Sequence, residues 1–159
     1  MMTNENVNKM HYVYLLSCPN GKKYVGMTGQ RPEDRWRSGW GYQKHEEMWA
    51  DIVEYGWRNW EKQVIRGCES KAEALLWEQY WIEELGTMEN GYNRNGELKE
   101  KWVIVNEDSG ECWSGVEEAA ASVGRTRQAL WRAIKNNGKC GGAHWKKMSV
   151  KEYMEVYLR

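Results

Sequence analysis

The chain has 159 residues, of which 41% are hydrophobic and 29% are charged. This length allows one ordinary domain or two small ones, and the supply of apolar residues excludes global disorder. No apolar run is long enough to cross a bilayer, and residues Met1 to Met10 are mostly polar. We therefore expect a cytoplasmic protein without a signal peptide and without a membrane partner.

The four cysteines are widely spaced and form no C-x-x-C pair: Cys18, Cys68, Cys112 and Cys140. Zinc sites usually draw their ligands from close pairs, and disulfides form mainly in secreted proteins. The sequence therefore predicts four free thiols, most of them packed in the interior.

The formal net charge is zero, but the positive charges are concentrated in two regions. Residues 20–44 contain six Lys/Arg and two Asp/Glu, and residues 116–151 contain eight and two. Residues 46–90, between them, contain four Lys/Arg and eleven Asp/Glu. A nucleic-acid-binding protein needs a positive face and not a positive total. Taken alone, the distribution is equally consistent with a solvated mixture of charges.

The first half of the chain begins with a predicted β-hairpin. His11 to Ser17 and Lys23 to Thr28 are β-rich, and Asn20-Gly21 between them is a hairpin signal. Pro32 then predicts the first turn of a helix. A longer helix over Glu46 to Tyr55 and a third strand over Asn59 to Gly67 follow.

A further helix is predicted from Ser70 to about Leu85. Ser70 and Glu73 form a capping box at its start. Glu78 falls within the apolar stripe of this helix, where a carboxylate is costly unless it is paired. An ion pair with an arginine and a metal site are the two alternatives, and the helix alone favours the ion pair.

A second pattern starts at Lys101. Trp102 to Asn106 predicts a strand, and Glu111 to Trp113 predicts its hairpin partner. Ser114 and Glu117 form a second capping box, which opens a helix that ends at Gly124. Thr126 can cap another helix, which runs to about Asn136.

These two helices have the spacing of a helix-turn-helix. The small residue Ala120, the turn glycine Gly124, and the inward apolar residues Leu130 and Ala133 fall where the motif needs them. The outer face of the second helix carries Arg127, Gln128, Trp131, Arg132 and Lys135. A generic helical hairpin with a solvated basic face is the alternative, but the charge and the motif together favour contact with DNA.

Five elements of the first half occur in the order of a known family. They are Tyr12-Val13-Tyr14, Tyr24-Val25-Gly26, Arg35, Glu78 and Asn93. With these elements, residues from Tyr12 to about Asn95 resemble a GIY-YIG endonuclease domain. The resemblance implies a phosphodiester hydrolase with a catalytic set of Tyr14, Tyr24, Arg35, Glu78 and Asn93.

The resemblance also implies a role for each residue. Glu78 would hold one divalent metal ion, Mg²⁺ or Mn²⁺, since magnesium keeps several waters and needs few protein ligands. Arg35 would contact the scissile phosphate with its planar guanidinium. Tyr14 and Tyr24 would orient or deprotonate the attacking water, and a tyrosine base needs a nearby cation such as Lys22, Lys23 or Arg35. Asn93 would position the site.

The sequence departs from the family pattern at two positions. Tyr12 replaces the first glycine of the GIY element, and Gly39 stands where many members carry a histidine. His45, further along the chain, is one candidate for that histidine's role, and a plain surface histidine is the alternative.

The region from Trp102 to Lys146 resembles a modular DNA-binding repeat (NUMOD1-like) that occurs beside phage and homing nucleases. The matching features are the strand Val103-Ile104-Val105, the helix-turn-helix and the closing run Gly141 to Trp145. The resemblance implies that this module binds duplex DNA beside the cleavage domain, in a bacterium or a phage-infected cell. His144 is expected to be structural.

The sequence thus predicts an α/β (α+β) fold in three parts. Residues 10–97 form a small, mostly antiparallel three-stranded sheet flanked by helices. Residues 101–148 form a short β plus helix-turn-helix module, and residues 149–159 form a C-terminal helix or tail. The linker is placed near Gly96 to Lys101.

The predicted DNA contacts fall into two groups. Phosphate contacts, which supply affinity without sequence information, are expected from Lys22, Lys23, Arg37, Lys44, Lys139, Lys146 and Lys147. Base contacts are expected from Arg127, Gln128 and Trp131, with Arg125 and Arg132 beside them.

The predicted function is a magnesium-dependent, homing-endonuclease-like DNA endonuclease. One active site cuts one strand at a time, so a double-strand break needs reorientation or self-association. The main alternative is a non-catalytic DNA-binding protein on an inactive nuclease scaffold. A nuclease for RNA processing or repair is a further alternative, which the helix-turn-helix disfavours.

Overall fold

The computed structural model describes residues 9–94 and 101–158, which belong to two compact units divided between Lys99 and Glu100. The predicted α/β class is confirmed, with antiparallel sheets and helices in both units. Of the predicted linker, residues 96–100 lie outside the described residues. Among the helices described, none is long and apolar enough to cross a membrane.

The first unit is a three-stranded antiparallel sheet with helices on both faces. Its strands are β1 (His11–Ser17), β2 (Lys23–Thr28) and β3 (Glu61–Cys68), in the order β2-β1-β3. Its helices are α1 (Pro32–Trp36), α2 (Glu46–Tyr55), α3 (Lys71–Leu85) and the short α4 (Thr87–Asn90), with 3-10 turns at Arg37–Tyr42 and Trp57–Asn59.

The predicted hairpin is confirmed, and its turn is held by Asn20. The Asn20 side-chain oxygen accepts a hydrogen bond from the Lys22 backbone N–H at 2.9 Å, and Gly21 takes a positive φ of 91°. Strand β3 begins at Glu61, two residues later than predicted, because Trp57–Asn59 forms a helical turn first.

Alternation along the central strand β1 sends successive side chains to opposite faces of the sheet. Tyr14 and Leu16 pack in a cluster with Met48 and Ile52 of α2. Val13 on the other face packs with side chains of α3, which include Ala74 and Ile82. Strand β1 is therefore covered on both faces, and Tyr14 is buried.

The start of α3 follows the capping prediction in part. The Ser70 hydroxyl accepts from the Glu73 backbone N–H at 3.1 Å, as a capping box requires. In a capping box the Glu73 carboxylate would accept from the backbone N–H of Ser70. Here it accepts from the backbone N–H of Glu69 at 3.4 Å.

The second unit is a four-stranded antiparallel sheet with three helices. It contains β4 (Trp102–Asn106), β5 (Cys112–Trp113), α5 (Val116–Ser122), α6 (Arg127–Asn136), β6 (Lys139–Cys140), β7 (Ala143–Ser149) and α7 (Val150–Tyr157). The strand order is β5-β4-β7-β6. The description of this unit as a short β plus helix-turn-helix module was incomplete, because β7 is a central strand. Its adjacent lysines, Lys146 and Lys147, obscure the alternation that would have predicted it.

The two predicted helix caps of this unit have opposite outcomes. The capping box of Ser114 and Glu117 is wrong, because Gly115 is the N-cap and makes no side-chain cap bond. The Ser114 hydroxyl instead bonds the Glu118 carboxylate at 3.2 Å. Thr126 caps α6 as predicted, and its hydroxyl accepts from the Ala129 backbone N–H at 3.2 Å.

Helices α5 and α6 pack through the predicted small and apolar residues. Ala120, Leu130 and Ala133 are buried in one cluster, and Gly124 in the turn has a φ of 64°. The four cysteines are free as predicted, three of them buried and Cys112 half-buried.

The β6–β7 turn lies directly against the turn between α5 and α6. A Cβ atom added to Gly141 would lie 2.5 Å from the Cβ atom of Val123, whereas one added to Gly142 would meet nothing within 4 Å. Both glycines have positive φ values, 59° and 80°. Only Gly141 combines the left-handed conformation with a close approach of the two turns.

We predict that Gly141→Ala lowers the free energy of unfolding of this unit more than Gly142→Ala does. Both variants adopt a left-handed conformation that costs about 1–2 kcal/mol without glycine. Gly141→Ala adds overpacking against Val123, of about 1–3 kcal/mol. Urea unfolding of the two variants measures the difference, and equal losses would show that the two turns are not in contact.

Candidate active site

The site is built around Tyr14, which lies opposite Gly26 in the pairing of β1 with β2. Tyr14 is only 1% exposed. A Cβ atom at position 26 would lie 2.5 Å from the Tyr14 hydroxyl oxygen and 2.8 Å from the Tyr24 ring. The last residue of Tyr24-Val25-Gly26 must therefore be glycine, because the phenol of Tyr14 crosses the neighbouring strand there.

Tyr42 holds the hydroxyl of Tyr14. It lies at the end of the 3-10 turn Arg37–Tyr42, and its hydroxyl donates a hydrogen bond to the Tyr14 hydroxyl oxygen at 2.6 Å. Burial raises the pKa of Tyr14, while the bond from Tyr42 and the positive charge of Arg35 lower it in part. Burial also raises the pKa of Tyr42. Since its net pKa shift is upward, Tyr14 is a neutral phenol at pH 7.

Arg35 is fixed on two sides. One terminal nitrogen of its guanidinium donates to the Gly41 carbonyl at 2.8 Å, and the guanidinium carbon lies 4.6 Å from the centre of the Tyr42 ring. A Cβ atom added to Gly41 would lie 2.1 Å from the Arg35 carbonyl oxygen. The chain between them is thus folded tightly back on α1, and the half-buried guanidinium is oriented before any ligand binds.

Glu78 lies on α3 and is 6% exposed. Its negative charge acts on Tyr14 and raises the pKa of that phenol, opposite to the effect of Arg35. The structure therefore brings Glu78, Arg35 and Tyr14 within electrostatic range of one another, although they come from α3, α1 and β1. Sequence spacing placed these residues on separate elements and could not show their proximity.

Tyr24 and Arg35 line a cleft of about 680 Å³ in the first unit. The other lining residues are mostly polar, basic or aromatic: Gln30, Asp34, Arg37, Trp40, Gly41, Tyr42, Gln43, Lys44 and His45. Tyr14, Glu78 and Asn93 do not line this cleft and are buried. The half-buried Tyr24 is therefore the tyrosine of the predicted pair that a molecule in the cleft can reach.

Asn93 supports the site from the edge of the sheet. Its side-chain oxygen accepts from the Val25 backbone N–H at 2.9 Å, and its side-chain nitrogen donates to the Val25 carbonyl at 2.8 Å. Val25 lies between Tyr24 and Gly26, so this pair of bonds fixes the backbone of the strand that carries Tyr24. The positioning role that the resemblance implies for Asn93 stays a prediction.

The histidine position of the family pattern is closed in this chain. Gly39 is buried with a φ of 94°, and a Cβ atom there would lie 2.9 Å from a methyl carbon of Ile52. His45 is half-buried and caps α2, where its Nδ1 accepts from the Met48 backbone N–H at 3.2 Å. Its Nε2 then donates to the Tyr92 carbonyl at 2.7 Å. His45 is thus half-buried and hydrogen-bonded, and whether it takes over the role of the family histidine stays untested.

Lys22 does not extend into the cleft. Its ammonium forms a 2.8 Å ion pair with Glu47, and Arg94 contacts the same carboxylate. The Lys23 carbonyl accepts from the Tyr92 backbone N–H at 2.9 Å, and Lys23 is half-buried. Lys22, Lys23 and Arg35 were the cations expected beside the tyrosines. Of these three, Arg35 lowers the pKa of Tyr14 through its positive charge.

Comparison with known proteins gives the same assignment for this unit. The model of the GIY-YIG catalytic domain matches residues 10–93, which is more than half of the chain. This chain belongs to the GIY-YIG family. It is therefore a nuclease that hydrolyses phosphodiester bonds, and the domain implies DNA as its substrate. Neither the curated proteins nor the solved structures gave a match.

Sequence reasoning missed Tyr42 in this GIY-YIG site. Its contact with Tyr14 depends on left-handed backbone at Arg37, Ser38 and Gly39, with φ values of 48°, 54° and 94°. Two of these residues are not glycine, and the sequence gives no signal for their conformation. The clustering of Trp36, Trp40 and Tyr42 was the one available hint that the segment packs against the core.

In the second unit, the residues predicted to contact DNA differ in exposure. Arg125, Arg127, Gln128 and Arg132 are exposed, whereas Trp131 is half-buried. The ammonium groups of Lys135 and Lys147 lie 5.7 and 5.9 Å from the Trp131 ring centre. The Lys146 ammonium lies 3.4 Å from the Glu152 carboxylate, and His144 bonds Asp108 through its backbone N–H at 2.9 Å.

We predict that Tyr42→Phe lowers kcat for DNA cleavage about 2- to 10-fold and leaves KM nearly unchanged. The substitution removes one hydrogen bond to Tyr14, worth about 0.5–1.5 kcal/mol. Single-turnover cleavage of a plasmid by wild type, both single variants and the double variant with Tyr14→Phe measures the coupling. In the Tyr14→Phe background Tyr42→Phe should have no effect, and a loss of the same size in both backgrounds would contradict the assigned contact.

Proposed function

We propose that the chain is a magnesium-dependent DNA endonuclease of the homing-endonuclease type, directed to its target by the helix-turn-helix of its second unit. The observation that carries this proposal is that Arg35 and Glu78 both act electrostatically on Tyr14, while Arg35 and Tyr24 line one cleft of a GIY-YIG domain. These residues provide a cation for the phosphate, a carboxylate for a metal ion and phenols for water.

The residues at the site fit magnesium better than zinc. Within residues 9–94 and 101–158, no three His, Cys, Asp or Glu residues come together in a way that could hold a metal ion. Zinc in proteins usually needs three or four such ligands, whereas magnesium keeps most of its waters and accepts one or two carboxylates. Glu78 would supply that carboxylate, and Mn²⁺ can replace Mg²⁺ on oxygen ligands.

When bound, the metal ion would stabilise the negative charge of the reacting phosphate. Arg35 contributes to the same task from the protein. One of its N–H groups is used by the Gly41 carbonyl, and the stacked Tyr42 ring holds the guanidinium plane, so its remaining N–H groups can bind phosphate oxygens. In the proposed hydrolysis, a water oxygen bonds to phosphorus and its proton passes to solvent. The bond between phosphorus and the 3′ oxygen breaks, and that oxygen takes up a proton from solvent.

The two tyrosines have different tasks in this scheme. Tyr24 lines the cleft and can accept a hydrogen bond from the attacking water. Tyr14 is buried as a neutral phenol and receives a hydrogen bond from Tyr42, so its own O–H is a donor. We therefore assign Tyr14 a positioning task, in which its O–H donates a hydrogen bond.

The second unit supplies the proposed DNA-binding surface. The start of α6 carries the exposed residues Arg127 and Gln128, both of which can hydrogen-bond base edges in a major groove. Trp131 is a weaker candidate for base contact than its position on the helix suggested, because two lysine side chains lie close to its ring. Arg125 and Arg132 would contact phosphates or bases beside them.

The resemblance to the NUMOD1-like repeat supports this assignment, as do the helix-turn-helix geometry and the excess of basic residues between 116 and 151. The division of labour proposed is cleavage by residues 10–97 and targeting by residues 101–148. Because one site cuts one strand at a time, cutting both strands of a duplex would need a second copy of the chain or reorientation on the DNA.

We predict that Glu78→Gln reduces cleavage of a plasmid at least about 100- to 1,000-fold while binding to the same DNA is retained, since loss of one group that stabilises the reacting charge has effects of this size. Glu84→Gln on the exposed face of the same helix is the matched control and should cut like wild type. Normal cutting by Glu78→Gln would exclude Glu78 as the metal ligand. Binding by wild type without any cutting would favour the non-catalytic alternative.

We also predict that Arg127→Ala relaxes sequence preference by about 1–3 kcal/mol at one base pair, because it removes a contact to a base edge. Lys146→Ala should weaken binding to every sequence alike and reduce the salt dependence of binding. Affinities for a duplex with the cleavage site and for a random duplex, measured by fluorescence anisotropy, separate the two effects. Equal losses on both duplexes for Arg127→Ala would contradict base readout by α6.

A further inference from the structure

The segment Arg37–Ser38–Gly39 has an unusual backbone. All three residues have positive φ values, and two of them carry side chains that disfavour this conformation. A non-glycine residue in this conformation is retained where the surrounding structure requires it, and such residues cluster at functional sites. This backbone brings Tyr42 to Tyr14, and it also leads directly into Trp40.

The residue that follows is Trp40, which is 55% exposed. Its ring lies 5.0 Å from the ring of Trp49, which packs against the core of the unit. The two indoles meet at a tilt of 46°, and more than half of the surface of Trp40 faces solvent. An exposed but supported aromatic ring is a preformed stacking surface.

Trp40 faces the cleft that contains Tyr24 and Arg35. Arg37 and Lys44 line the same cleft, and Asp34, the acidic residue of the lining, is paired with Arg31 at 3.0 Å. The surroundings of the indole are therefore net positive. A flat apolar ring among cations fits a nucleotide, whose base has an aromatic face and whose backbone is anionic.

We propose that Trp40 forms a nucleobase-binding subsite, which stacks on one base next to the scissile phosphate while Arg37 and Lys44 bind neighbouring phosphates. This inference rests on the proposed DNA endonuclease function and adds a contact that neither the family pattern nor the helix-turn-helix supplies. The base must leave its place in the duplex at least in part, and stacking on the indole offsets part of that cost.

The test uses a duplex that contains a mapped cleavage site and a set of duplexes that each lack one base, replaced by an abasic residue, on either side of the cut. On the intact duplex, Trp40→Ala should lower kcat/KM about 5- to 150-fold, the range for loss of one stacked base. Trp40→Phe, which keeps an aromatic ring, should recover most of the activity.

One abasic position should identify the stacked base. At that position, removing the base should lower kcat/KM of the wild type by the same factor as Trp40→Ala lowers it on intact DNA. The kcat/KM of Trp40→Ala should be the same with and without that base. Tyr80→Ala is the matched control, because Tyr80 is a 40% exposed aromatic residue of the same unit that does not line the cleft. It should cut the intact duplex like wild type.

Two outcomes overturn the subsite while leaving the nuclease intact. One is wild-type activity of Trp40→Ala on the intact duplex. The other is a loss of kcat/KM in Trp40→Ala that is equally large on the intact duplex and on every abasic duplex. Independent losses of this kind would mean that no base contacts the indole. If wild type itself cuts no DNA, the proposed function fails and the subsite fails with it.

Discussion

The geometry of the active site depends on the passage of the Tyr14 phenol over Gly26. Tyr14 is on the central strand, and its hydroxyl lies where a side chain of the neighbouring strand would otherwise be. The contact sets the spacing of Tyr14 and Tyr24 on one face of the sheet, with their ring centres 6.4 Å apart. It also places the Tyr14 hydroxyl within 2.6 Å of Tyr42, which in turn stacks with Arg35. The two tyrosines, the arginine and the glycine are thus parts of one packed arrangement.

The same arrangement explains how the site keeps its geometry without the histidine that many family members carry. The backbone at Gly39 is too close to Ile52 for any side chain, and the chain turns there in a left-handed conformation. That turn delivers Tyr42 to Tyr14 and the Gly41 carbonyl to Arg35. His45 is used differently, because both of its ring nitrogens contact backbone groups at the start of α2 and at Tyr92.

Most of the secondary structure could be predicted from local sequence signals. The hairpin of the first unit, helices α2 and α3 and strand β4 have strong periodicity or clear turn and cap residues, and local rules were sufficient there. Strand β7 was missed because Lys146 and Lys147 interrupt its alternation. The cap at Ser114 was wrong because Gly115 took the N-cap position, and a serine one residue too early matches the same sequence pattern.

The sequence could predict which residues form the candidate site, but not their burial or their contacts. The ordered motifs predicted Tyr14, Tyr24, Arg35, Glu78 and Asn93, and the match to the family covers the region that contains them. Their environments depend on tertiary packing. Burial of Tyr14, the pairing of Asn93 with Val25 and the contact from Tyr42 all join residues that are far apart in sequence. No local pattern encodes which of two tyrosines is buried and which one faces the cleft.

The most direct test of the account is the effect of removing magnesium on cutting of a supercoiled plasmid by the wild-type chain. The account predicts nicked or linear product with Mg²⁺, none after chelation with EDTA, and full recovery when excess Mg²⁺ is returned. Equal cutting with and without the chelator would contradict a hydrolytic centre that depends on one metal ion at Glu78.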